Sequence, residues 1–111
     1  MSNEYYELFV DYSMQQCLKN DYADKSKVKK HNYALAQLQK LKKTMCQNES
    51  LDIIELLLLH EDDRVRLNAA KFALEVQVCL PLAKATLNDI YINSLDSTLS
   101  FSAKLIINSD L

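Results

Sequence analysis

The chain has 111 residues, 49% hydrophobic and 25% charged, which is the length of one domain and the composition of a folded protein rather than a disordered one. It contains no glycine and one proline, which excludes a glycine-cradled phosphate loop and argues against tight sheet hairpins, whose turns need positive φ. The net charge of −2 argues against a uniformly basic nucleic-acid binder.

The pattern predicts six helices. The first covers about residues 4–18, with Tyr5, Leu8, Phe9, Tyr12 and Gln16 or Cys17 at i, i+3, i+4, i+7 spacing and Ser2 or Asn3 as cap. The second covers about residues 26–46. Its apolar positions are Val28, His31 or Asn32, Leu35, Leu38, Leu41 and Met45; Ser26 is its cap, and Lys40, Lys42 and Lys43 lie toward its negative pole. The third, about residues 51–59, is capped by Ser50 and apolar nearly all round. It is expected to be the most buried element. Asp62 is suited to cap a fourth helix over about residues 63–77, with Val65, Ala69, Phe72, Ala73 and Val76 facing inward. Pro81 opens a fifth, about residues 81–92, carrying Ala83, Leu87, Ile90 and Tyr91. Asp96 or Ser97 caps a sixth, about residues 98–107, with Leu99, Ala103, Leu105 and Ile106. Without glycine, the helix ends are expected to use Asn20, Asn48, Asn93 and Asn108 in the left-handed conformation.

Little in the chain has the spacing of a reactive centre. Cys17, Cys46 and Cys79 are odd in number, form no C-x-x-C and fall in apolar stretches, so buried inert thiols are expected, with no disulfide and no zinc. His60-Glu61-Asp62-Asp63-Arg64 begins like a zincin helix, but Arg64 stands where the second histidine is required, so His60 reads as a turn residue. No cofactor is expected. The opening Met-Ser-Asn-Glu-Tyr-Tyr has neither a basic nor an apolar leader region, and the longest apolar run is residues 56–59. A cytoplasmic protein with no membrane partner is expected.

Charge is more informative. Residues 1–18 hold Glu4, Glu7 and Asp11, a net of −3; residues 19–43 hold eight lysines against Asp21 and Asp24, a net of +6; residues 49–63 hold six acids and no base. The basic second helix has no arginine and only Tyr33 as an aromatic, which argues against base readout or strand stacking. Glu4, Glu7 and Asp11 fall at i, i+3, i+7, one face of the first helix. With Tyr6 as a neighbouring aromatic anchor, and with Asp52 and Glu55 on the third helix, they are the candidate contacts for a basic protein partner. The duller reading is that the acidic helices neutralise the lysine-rich one.

Residues 51–92 carry one recognisable pattern. It runs Leu56-Leu57-Leu58-Leu59-His60, then Val65-Arg66-x-x-Ala69-Ala70-x-x-Ala73-Leu74, then Pro81-x-Ala83-x-x-x-Leu87-x-x-Ile90. It resembles a HEAT-type helical repeat, and the whole chain resembles a small bacterial family of HEAT-like proteins of unassigned function. The resemblance implies an all-α, right-handed stack of about six antiparallel helices forming a single domain over 1–111. An N-terminal pair over 1–47 would cover HEAT-like helices over 51–109. In HEAT repeats the position of His60 is often an aspartate that bonds to the arginine and the next repeat; His60 departs from that pattern. Small helical proteins of this sort also resemble immunity proteins of bacterial toxin–immunity systems, including contact-dependent growth inhibition. The leading expectation is therefore a non-catalytic immunity protein that neutralises a basic toxin domain, such as a nuclease. A solitary HEAT-like adaptor or complex subunit is the alternative, and a nucleic-acid-binding HEAT-like protein is the weakest.

Overall fold

The computed structural model describes residues 2–15, 25–48 and 51–110. They form six α-helices: α1 (Ser2–Gln15), α2 (Lys25–Gln47), α3 (Ile53–Leu58), α4 (Asp63–Val76), α5 (Leu80–Asn93) and α6 (Ser97–Asp110). No strand occurs among the described residues. The features expected at Gln16, Cys17, Asn20 and Ser50 lie outside them. Contacts divide the chain into two units, Met1–Ile53 and Ile54–Leu111.

In the first unit α1 packs on α2. α1 buries Phe9 and Ser13, one turn apart, with Tyr5, Leu8 and Tyr12 half-buried. The Nδ2 of Asn48, just past α2, donates to the Tyr5 hydroxyl at 2.7 Å. That bond sets the end of α2 beside the start of α1, so the pair is antiparallel. Both helices begin earlier than the pattern suggested, so Ser2, Asn3 and Ser26 lie inside helices rather than ahead of them. The buried stripe of α2 is Ala34, Leu38, Leu41, Lys42 and Met45. Leu35, expected inside, is exposed, and Ala34 takes the place. The stripe 34, 38, 41, 45 keeps strict helical spacing, and leucine at 35 lies about 100° off it.

The second unit is built around α4, which touches both α5 and α6, while those two touch each other. α4 buries Val65, Leu67, Asn68, Ala69, Ala70, Phe72 and Ala73, half of its fourteen residues. α3 buries Ile53, Ile54, Leu57 and Leu58, but Leu56 and Leu59 are 57% and 66% exposed. Four of its six residues are thus buried, a larger share than the half of α4, as expected, while Leu56 and Leu59 leave one side open. On α5, Ala83, Thr86, Leu87 and Ile90 are buried; on α6, Leu99 and Ala103. Tyr91 and Leu105, expected inside, are exposed, and Val76 and Ile106 are half-buried.

The ends of these helices have local causes. Asp62 is extended (φ −86°, ψ 128°), and its Oδ1 accepts the N–H of Arg64 at 2.9 Å and of Val65 at 3.2 Å. Asp96 does the same for Thr98 at 2.9 Å and Leu99 at 3.3 Å. Each satisfies two of the donors a helix start leaves free. The α4–α5 connection is tighter. Gln77 (φ 59°) and Cys79 (φ 51°) are the left-handed residues among those described, and none of Asn48, Asn93 and Asn108 is. Gln77 closes α4 while the N–H of Val78 donates back to the Ala73 carbonyl at 3.1 Å, and Cys79 opens α5 without a side-chain cap.

Candidate functional site

The acidic positions of α1 stand where the spacing put them. Glu4, Glu7 and Asp11 are all exposed, and helical geometry sets them roughly opposite Phe9 and Ser13. Three carboxylates on one exposed face give a local negative potential that a cationic surface would meet without desolvating a buried charge. Tyr6 differs from expectation. It is half-buried and already engaged in a contact, and it lies nearer the Phe9–Ser13 side than the acidic one. Asp52, just ahead of α3, is exposed, and so is Glu55 within it. Glu55 shares α3 with the exposed Leu56, so that helix offers an acid beside an apolar side chain.

The second unit contains a charged cluster of another kind. The Nη1 of Arg66 on α4 donates to Asp89 Oδ2 on α5 at 2.8 Å, and its Nη2 donates to Asp63. Asn93 Nδ2 completes the group by donating to Asp89 Oδ1 at 2.8 Å. Burial works against the Arg66 charge, but the hydrogen bonds it donates to Asp63 and Asp89 outweigh it and raise its pKa. The Asp89 carboxyl is held below its ordinary value by the Arg66 hydrogen bond first and by Asn93 second. Both groups are therefore charged and engaged at neutral pH, which suits a clasp between helices and not proton transfer. Asp89 was not singled out from the sequence. An arginine opening a helix rich in alanine calls for a carboxylate on the next helix, and Asp89 is the acid that α5 supplies.

Other places with chemical potential are sparse. His60 is in the turn before α4, where its Nδ1 accepts the N–H of Asp62 at 3.0 Å. Cys46 is exposed and Cys79 half-exposed, both as free thiols, which corrects the expectation of buried sulfur; Cys17 lies outside the described residues. Both thiols sit at helix ends, where an apolar neighbourhood in sequence does not become cover in space. A recess of about 410 Å³ lies among α4, α5 and α6, lined by Lys71, Leu74, Glu75, Gln77, Leu80, Lys84 and Ile106. Among the described residues no three His, Cys, Asp or Glu side chains gather as metal ligands. No helix of the described residues is long and apolar enough to cross a membrane.

The chain is thus an all-helical protein that presents exposed acids on α1 and a charge-clasped second unit. Comparison with family models, with curated proteins and with solved structures returned no match.

Proposed function

We propose that the chain is a non-catalytic protein-binding module, and specifically a cytoplasmic bacterial immunity protein that binds and neutralises a basic toxin domain, such as a nuclease. The observation that carries the reading is the exposed face of Glu4, Glu7 and Asp11, which has the charge and accessibility to steer a cationic partner. Asp52 and Glu55 add exposed acids suited to the same partner. Tyr6, half-buried beside that face, is a lesser contact. Arg66, Asp63 and Asp89 are engaged with one another and hold helices of the second unit together.

The second unit supports a HEAT-like reading of the fold. A V-R-x-x-A-A helix whose arginine reaches the following helix has the interhelical tie such stacks use, here directed to Asp89. On that ground a solitary HEAT-like adaptor is the second reading.

The test is to express the chain with the product of the open reading frame immediately upstream and measure association at low and moderate salt. Replacement of Glu4, Glu7 and Asp11 by Lys should slow association at least tenfold at low ionic strength, less so at higher salt, and leave helicity unchanged. An upstream product that is not bound would leave the adaptor reading in front. A bound product with unchanged association kinetics would take the acidic face out of the interface.

A further inference from the structure

α6 differs from the rest of the chain in charge. Between Ser97 and Ser109 it carries one ionisable side chain, Lys104. Leu99 and Ala103 are its buried side. The opposite side is Ser97, Phe101, Lys104, Leu105 and Asn108, at i, i+4, i+7, i+8 and i+11, and every one of them is exposed. Phe101 is 60% exposed and Leu105 51%. Tyr91 of α5 borders this strip. Ser100 Oγ donates to its carbonyl at 2.7 Å, and Lys104 Nζ stands 6.0 Å from the centre of its ring, drawn toward the edge of the strip. Leu95 stands immediately before the capping Asp96. A hydrophobic residue at that place ordinarily packs on the fourth residue of its helix, but here the fourth residue is Ser100 and Leu95 is 103% exposed.

We propose that this face of α6 is a self-association surface that seats the α6 of a second copy in a two-fold, antiparallel pair. Charge selects a second copy over a charged partner. A strip with one cation has nothing to match against a strongly basic or acidic surface, whereas a near-neutral strip is complementary to itself. Register agrees. A two-fold pair centred midway between Phe101 and Leu105 sets each Phe101 against the Leu105 of the second copy and leaves both Lys104 side chains at one solvent-facing edge of the seam. Area agrees as well. Tyr91, Leu95, Phe101 and Leu105 offer roughly 500 Å² per copy, and the flanking Ser97, Thr98, Asn108 and Lys104 stem bring the patch toward the ~800 Å² per partner of a standard interface. The pair uses none of the acidic residues assigned to the toxin partner.

Sedimentation velocity on the full chain, over about 5 to 500 µM, reads the proposal directly. The expected result is a mass that climbs from one chain to two with concentration. A Phe101→Glu/Leu105→Glu variant should remain a single chain throughout with unchanged helicity, because both side chains are exposed. An uncharged Phe101→Ser/Leu105→Ser variant should behave alike, which separates loss of the face from charge repulsion. Mixing the Glu variant with Phe101→Lys/Leu105→Lys should restore the two-chain species. A wild-type chain that stays single at every concentration overturns the proposal. So do a species that grows past two, or variants that associate as the wild type does.

Discussion

The two units reach stability by different routes. Residues 2–53 pair two helices, each burying one stripe, and the stripe is filled with bulk: Phe9, Leu38, Leu41 and Met45, with Ala34 as the small exception. Residues 54–110 pack three fourteen-residue helices on one another, and their buried side mixes bulk, at Val65, Leu67, Phe72, Leu87, Ile90 and Leu99, with five alanines, Ala69, Ala70, Ala73, Ala83 and Ala103. Small side chains bring backbones close and bury little area each. Such a unit depends on helix ends and register being held by other means, and those means are visible: aspartate caps at Asp62 and Asp96, a left-handed closure at Gln77, and the Arg66–Asp89 tie. The difference teaches that bulk alone fills the first unit's seam, whereas in the second bulk is joined by small residues and fixed helix ends.

Substitutions can break or sharpen that contrast. The largest effect is expected from Leu57→Asp. Leu57 is fully buried, and an unpaired carboxylate there should cost about 4 kcal/mol or more, enough to abolish cooperative folding. A variant that keeps full helicity and a sharp thermal transition by circular dichroism would contradict the placement. Next come Phe9→Ala and Phe72→Ala, each expected to cost about 3–5 kcal/mol in chemical denaturation. Phe72 should sit at the upper end, because close-set helices around α4 cannot collapse into the space it leaves. A costlier Phe9→Ala would reverse the contrast. Asp62→Ala follows at about 1 kcal/mol, through two N–H groups left without their acceptor.

The smallest effect is Asp89→Asn, and pH identifies it. The folded Asp89 carboxyl has a lowered pKa, so its contribution is fully present above the ordinary aspartate range and is lost as pH falls through the lowered folded value. The melting temperature of the wild type should exceed that of the variant at neutral pH, and the gap should close in strong acid. A gap that is constant with pH would mean that the Arg66 contact does not depend on the Asp89 charge.

Much of this was legible in the residues, and the part that was not has physical causes. Asp62 and Asp96 could be read as caps because a cap is a local bond between a side chain and N–H groups two and three residues away. The inward faces of α4 and α5 could be read because Val65, Ala69, Phe72, Ala83, Leu87 and Ile90 keep helical spacing, although Leu67, also buried, was not among those expected and Tyr91, expected inside, is exposed. α2 was harder. Its lysine-rich sequence offers few apolar residues, and an alanine at 34 carries a weaker signal than the leucine at 35 that lies outside. α3 was legible as a buried helix but not leucine by leucine, since a leucine run has no polar side to show that Leu56 and Leu59 stay exposed. The left-handed residues were missed because asparagine is only the commoner choice there, and a tight connection imposes the conformation on whatever residue occupies it. For the site, exposure of Glu4, Glu7 and Asp11 followed from spacing, whereas the role of Asp89 depends on which helix neighbours α4.

The turn between α4 and α5 also acts as a ruler. Two residues in the left-handed region, at about 1 kcal/mol or more each for side chains other than glycine, join helices with only Gln77, Val78 and Cys79 between them. One inserted residue would rotate α5 by about 100°. Leu87 and Ile90 would swing off their buried side, and Asp89 would leave the reach of Arg66. The identities at 77 to 79 are open to exchange, glycine included, while the number of residues there is as constrained as any side chain in the core.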